Sequence, residues 1–499
     1  MKLIKAKQFQ HLKHIDTFGM LKFREEYLMR VSGWVLCSET TSAARVWLEF
    51  GDKVQEATRF YRMDVINTPD GTAADNQLPG FDVELRSKVP KGILRLFAEN
   101  DQGEAAEIWS RKVKPKDFEQ GNLNETPVFS GYDFLRELIL ADHEKPETVR
   151  DYEAPPVVDC IIPDFGIGAG GHAAIFRILK ACEDEGWATR IWIMFSSQHG
   201  SPEQIRKVLK EHFQPLSGEI RFATPTSIRK MNGEIGIATD RWTAYFLRAA
   251  SAVTRKYYLV QDFEPLFYGE GTASLLAENT YRFPFIPFAS TPWLAEKLAE
   301  FGHHGVTVFR YGVNREFFYP PANHPQNPVP RIAFYSRAST ERRAVDLGFI
   351  AFELLAKRGV KFEVDFFGYD MTGFRTTYPH RNHGVLNEKG LGDLFRSVDL
   401  GVAFSATNPS IISGEMMACG LAVVELDRRN NRASWPAEAM AWVSPDPGEI
   451  ANRLEVLLLN EQERRPIAEA GKAFSDGLSW EESAAKVVAK LKEDRKIVG

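Results

Sequence analysis

Residue types that can do chemistry gather in a few stretches of this 499-residue chain. Residues 405–427 read SATNPSIISGEMMACGLAVVELD. Turn formers lead into the helix start EMMACG, and LAVVEL reads as a buried strand. Glu415 is thereby expected at the mouth of a helix, where a carboxylate complements the helix dipole. Residues 335–344, YSRASTERRA, carry Arg337, Arg342 and Arg343 just beyond another strand. Guanidiniums there suit a diphosphate, through paired, charge-assisted bonds; the plainer reading is a solvated loop. YYLVQDFEPLFY (257–268) places Asp262 and Glu264 at a strand end, where they suit sugar hydroxyls or the work of a base. In ATDRWTAY (238–245), Asp240 reads as the N-cap of the helix that follows.

GIGAGG (166–171) formally fits the dinucleotide fingerprint GxGxxG between a strand and a helix. A dinucleotide site also needs an acidic residue ending the second strand, to hold the ribose. That strand ends IWIMFSSQ, and Asp184 and Glu185 fall on the preceding helix end. What remains is a glycine turn that lets a diphosphate or sugar approach the backbone, with helix N–H groups aimed at the anion. Gly170, Gly171 and His172 are its candidates, a structural role for His172 being the alternative.

The elements that must position these residues follow from periodicity. From about 27 to 113, short apolar or alternating runs separated by turn formers, with a long polar loop NTPDGTAADNQLPG, predict a β-sandwich. Trp34, Trp47 and Trp109 are expected in its core rather than on a sugar-stacking surface. KPKDFEQGNLNETP reads as a linker, and FLRELILA as a helix. From 157, strands alternate with helices in two sets, split by the Pro-rich segment 318–330. That alternation predicts two doubly wound parallel-sheet domains. The expected domains are 1–125 (β-sandwich), 126–325, 326–478, and a terminal helix in 479–499 that is a candidate to cross back to the first α/β domain.

Composition narrows the class. The chain is 44% hydrophobic and 26% charged with a net charge of −5, which fits a globular protein and gives no global basic field for nucleic acid. Cys37, Cys160, Cys182 and Cys419 are scattered without a CxxC pair, against a zinc ribbon or a disulfide scaffold. No window approaches the ~18 apolar residues of a membrane span. The expected location is cytoplasmic, with membrane contact at most peripheral.

The stretches GAGGH, ATDRWTAY, YLVQDFEPLFY, YGVNREFFYP, FYSRASTERR, HGVL and NPSIISGEMMACGLAVVELD together resemble a family. Over about 157–490 the chain resembles retaining, nucleotide-sugar-dependent glycosyltransferases of the GT-B fold, and is similar to bacterial rhamnosyltransferases of surface polysaccharide synthesis. The resemblance implies a hexosyl transfer from a nucleoside diphosphate sugar, dTDP-rhamnose as best guess, to a glycan or lipid-linked glycan acceptor. No cofactor is expected, and no essential metal, since no Asp-x-Asp motif lies at a strand end and the arginines can supply the positive charge. Such enzymes carry two glutamates separated by seven residues. The second maps to Glu415 and implies a ribose ligand; the first falls at Thr407, where this chain departs, which suits a deoxysugar. The family's basic pair maps to Arg337 and Arg342. The loop facing phosphates and sugar implies Ser410 and Ile411, and the base-reading loop HGVL implies Val385. Asp262 and Glu264 are the catalytic candidates. The alternatives are a catalytically weakened glycan-binding or scaffolding protein of the same fold and, further off, a nucleotide-cofactor oxidoreductase.

Overall fold

A computed structural model describes residues 2–3, 12–23, 26–37, 43–60, 80–100, 102–120, 133–140, 154–168, 170–194, 201–225, 227–323, 325 and 327–496. The polar loop expected at 67–80, except Gly80, lies outside these residues, as do linker positions 121–127. The chain separates into two compact units, Met1–Gly131 and Tyr132–Gly499.

In the first unit, β1 (Lys2–Leu3), β9 (Glu104–Val113), β8 (Gly92–Glu99), β4 (Arg45–Phe50) and β5 (Lys53–Glu56) form one sheet in that spatial order. The second runs β10 (Glu119–Gln120), β2 (Leu12–Phe23), β3 (Glu26–Leu36), β7 (Gly80–Ser87) and β6 (Thr58–Phe60). Pairing is antiparallel except for the two-residue strands β1 and β10. Val31 and Leu85 of one sheet and Leu48 and Leu96 of the other share one buried cluster. Trp47, 4% exposed, stacks on Phe97, and Trp109 packs on Phe18. Strand β2 precedes the run expected from 27. A register shift between Ile15 and Thr17 breaks its alternation, which hides it from a period-two reading. Strand β10 and a turn at Pro115–Asp117 occupy part of the expected linker.

The second unit holds two wholly parallel sheets. The first runs β13 (Glu219–Ala223), β12 (Ala188–Met194), β11 (Val157–Pro163), β14 (Ile235–Ala238), β15 (Arg255–Val260), β16 (Ile286–Ala289), β17 (Thr307–Val308). The second runs β20 (His380–Asn382), β19 (Glu363–Phe367), β18 (Arg331–Tyr335), β21 (Leu400–Val402), β22 (Val423–Leu426), β23 (Ala441–Val443). Both therefore have the doubly wound order, reversing after the first strand. Burial on both faces explains the unbroken apolar runs: Val158, Cys160 and Ile162 enter one cluster while Ile161 enters another. Strands β13, β16, β17 and β20 are additions to the sequence reading. They are short, and β13 and β20 are edge strands carrying charged residues, which an apolar-run criterion passes over.

The helix Trp480–Lys496 leaves the second sheet and packs on the first, with Ala484, Val487, Val488 and Leu491 in the same cluster as β11 and the helix Gly170–Asp184. Polar bonds fasten its end: Tyr257 donates its hydroxyl to Asp494 at 3.2 Å, and Arg495 reaches Glu234 at 3.1 Å.

Candidate functional site

Ligands in open α/β sheets bind beyond the carboxyl ends of the strands, where the strand order reverses. In the second sheet that point lies between β18, which leads into the Arg337 loop, and β21, which leads into 405–410. Loop 405–410 is held from both sides. From the first parallel-sheet domain, Asp262 accepts the Asn408 N–H (3.0 Å) and the Thr407 hydroxyl (3.0 Å). Asn408 donates to the Gln261 carbonyl (2.9 Å) and the Ser290 hydroxyl (3.1 Å), and accepts from Thr291 (2.7 Å). From its own domain, Arg343 donates to the Ser405 hydroxyl (3.0 Å) and Glu425 accepts the Ser405 N–H (2.9 Å). Asn431 donates to the Ser405 carbonyl (3.0 Å), and Asn430 to the Thr407 carbonyl.

Ser410 ends the loop as N-cap of the helix Ile411–Ala418, its Oγ accepting from Ile412 N at 3.3 Å. Glu415 is the fifth residue of that helix. This corrects the expectation of a first-turn carboxylate: no acidic residue sits in that turn, so a dipole partner is not what Glu415 is. Its side chain is 5% exposed and its Oε2 has no hydrogen-bond partner among the described residues. Burial, and after it the neighbouring Glu388 charge, push its carboxyl up to about 8 against the opposing pull of Arg177. Arg177 comes from the helix Gly170–Asp184 of the other domain and lies 3.5 Å from Glu388.

The two domains meet closely at the glycine turn. A Cβ on Gly170 would lie 3.3 Å from the Ile411 side chain across the interface, and one on Gly171, within the first parallel-sheet domain, 3.2 Å from the Gln261 amide oxygen. Gly168 has φ +82°, in the region glycine favours, and a Cβ there would sit 3.8 Å from Val385, itself exposed. His172 is half-buried, stacks on Phe165, and bonds through Nε2 to the Pro163 carbonyl at 3.2 Å. Burial lowers its pKa to about 4, so the ring is neutral at pH 7.

The arginines differ from one another. Arg342 lies over the Phe267 ring at 4.2 Å and pairs with Asp262 at 3.2 Å. Arg343 is committed to loop 405–410. Arg337 is exposed, and among the described residues no acid forms an ion pair with it. Burial acts to raise the pKa of the Tyr335 hydroxyl, but Arg337, Arg343 and Arg342 outweigh it and lower it.

Of the two catalytic candidates, Asp262 has both oxygens engaged: Oδ1 by the N–H groups of Asn408 and Phe263, Oδ2 by Thr407 and Arg342. Glu264 is buried and accepts from the Arg241 N–H (2.8 Å) and guanidinium (3.2 Å). Burial, opposed by that cation, leaves its carboxyl at about 7. Asp240 caps the helix Arg241–Ala249, accepting the Thr243 N–H at 2.7 Å. The structure thus brings Gly170, Gly171, Ile411, Thr407, Ser410, Arg342 and Asp262 around one loop and interface. It binds Glu264 to Arg241 instead. Asn408, Glu425 and Arg177 were missed in the sequence. The signal for Glu425 was a carboxylate inside the apolar run LAVVEL; for Asn408 it was only an Asn-Pro turn.

A family model described as the WsaF C-terminal domain matches residues 330–455, which include β18 to β23 and loop 405–410. The O-antigen biosynthesis protein RfbC of Myxococcus xanthus is 29% identical over 341 residues, covering 66% of this chain; the chain spans only 26% of that relative. Anabaena Alr3699/HepE in complex with UDP-glucose superposes with a TM-score of 0.54 at 11% identity, over 68% of this chain and 100% of that one. A glycosyltransferase from Rickettsia africae gives 0.51 at 14% identity, over 68% and 98%. A mutant of S. aureus TarM, in complex with Fondaparinux, alpha-GlcNAc-glycerol and UDP, gives 0.55 at 8% identity, over 67% and 99%. At these identities the likeness is one of fold: the second unit carries the GT-B arrangement of two doubly wound parallel-sheet domains.

Proposed function

We propose that the chain is a glycosyltransferase that moves a sugar from a nucleoside diphosphate sugar to a glycan hydroxyl, in the synthesis of a bacterial surface polysaccharide. One observation carries the donor side of this reading: the buried Glu415 carboxyl, with an unbonded Oε2, at the carboxyl edge of a doubly wound sheet. A buried polar atom without a partner is costly, and a ribose hydroxyl satisfies it. The 29% identity to an O-antigen biosynthesis protein and the UDP and UDP-glucose in the superposed structures support the reaction class.

In this reading the backbone of 410–411 and Arg337 receive the diphosphate, and Arg342 is recruited to it from Asp262. The loop at 383–386, with Val385, reads the base. The developing charge on the departing diphosphate is met by these donors, without a metal. The acceptor oxygen bonds to the anomeric carbon as the carbon–phosphate oxygen bond breaks, and the acceptor proton passes to the departing phosphate; attack on the leaving-group face gives retention. Asp262 acts as a positioning residue for loop 405–410, and Glu264 through Arg241. Thr407 spends its hydroxyl on Asp262 and offers no carboxylate to the sugar, which favours a deoxysugar donor, dTDP-rhamnose before UDP-glucose.

The test has two steps. Melting temperature is measured with UDP, dTDP, UDP-glucose and dTDP-rhamnose, since a ligand bound only by the native state raises stability. Product formation then follows on lipid-linked glycan acceptors, with and without EDTA. A rise with dTDP-rhamnose and EDTA-resistant transfer are expected. No rise with any nucleotide overturns the donor site, and binding without transfer favours a glycan-binding protein of the same fold.

A further inference from the structure

The first unit carries a feature that donor chemistry does not use. An open groove of about 700 Å³ runs along one end of the β8–β9 pair. Its floor is apolar: Gly92 pairs with Val113, which is 1% exposed, and Pro115 follows. Its rim is Lys91, Lys112, Lys114 and Lys116, all exposed. Among the described residues no acid pairs with any of the four ammoniums; the nearby Asp117 accepts the Lys114 backbone N–H instead. Beside them stand exposed apolar side chains, Ile93 at 45% directly opposite Lys112, and Val89 at 55%.

We propose that this groove docks the chain on an anionic lipid bilayer. Four unpaired cations on a chain of net charge −5 are a local reversal of sign. Lysines beside an anionic leaflet each add attraction that dies away within a Debye length. The exposed Ile93 and Val89 separate a bilayer from a soluble polyanion, because only a lipid interface has an apolar layer to receive them. A sugar polymer would favour an aromatic platform, and the groove lining has no aromatic residue. Trp47 and Trp109 are packed against Phe97 and Phe18. The proposal does not depend on the donor site.

Co-sedimentation of the full chain with phosphatidylcholine vesicles, with and without phosphatidylglycerol, tests it. Binding is expected only with phosphatidylglycerol and is expected to fall with salt. Each lysine changed to Gln lowers the partition coefficient about fivefold, the equivalent of about 1 kcal/mol per charge, and Ile93→Asn lowers it too. Melting temperatures of the variants are expected to match wild type, because every substituted side chain is exposed. Equal binding to both vesicle types, or wild-type binding by K91Q/K112Q/K114Q/K116Q, overturns the proposal. So does wild-type vesicle binding by Ile93→Asn with release of the chain by heparin, which would identify a soluble polyanion as the occupant.

Discussion

Glu415 lies buried in the helix Ile411–Ala418 with its Oε2 unbonded among the described residues. Burial first, and the Glu388 charge after it, raise its carboxyl against the pull of Arg177 from the other domain, and no local window of the sequence contains those groups. With its carboxyl at about 8, it is a neutral acid at pH 7, and Gln is its near match. Glu415→Gln is therefore expected to stay within about threefold of wild-type UDP affinity, whereas Glu415→Leu, losing a hydrogen bond of about 1–1.5 kcal/mol, drops about tenfold. Calorimetry reads both, and the ratio of wild type to the Gln variant departs from its value at about pH 6 as the pH rises through about 8, where wild type alone titrates. Glu425 gives a second residue-scale outcome. Its carboxyl is 0% exposed, and burial raises it from an ordinary 4.5 to about 8. A raised folded value means that its contribution is complete below about 4.5 and is lost as pH climbs to about 8. Glu425→Gln keeps the acceptor for Ser405 and removes the titration, so the fall of melting temperature across that window becomes shallower than in wild type.

Elements were legible where they are long and buried on both faces. The alternation from 157 onward announced both parallel sheets, while β2 was hidden by its bulge and β17 by its two-residue length. The helix Trp480–Lys496 was legible as a helix from its pattern, but its destination depends on which apolar surface lacks cover. Leu491 is 0% exposed in the cluster it completes. Leu491→Ala is expected to cost about 2–5 kcal/mol, read as a lower denaturant midpoint with an unchanged slope. Loop 405–410 shows the opposite limit. Its conformation depends on Gln261, Ser290 and Thr291, more than a hundred residues earlier. Asn408→Ala leaves those buried groups unpaired and is expected to cost about 1–3 kcal/mol, together with a loss of nucleotide affinity that melting curves with and without UDP would reveal.

At the scale of the molecule, the division at 131 and 132 separates the groove from the proposed nucleotide site. A fragment of residues 132–499 is expected to fold and to bind UDP within about twofold of the full chain, since domains with their own cores tend to fold alone, while its binding to phosphatidylglycerol vesicles disappears. A folded fragment that had lost its nucleotide affinity would contradict that division of labour. Inside the second unit the halves are not separable in the same way. Gln261, Asp262, Ser290 and Thr291 belong to one half, and the loop they shape belongs to the other. On the proposed reading, donor preference in this chain is therefore not a portable trait. A chimera that imports the donor half of a relative to change its sugar carries a loop written for a different partner, and inherits the new preference only if those four residues travel with it.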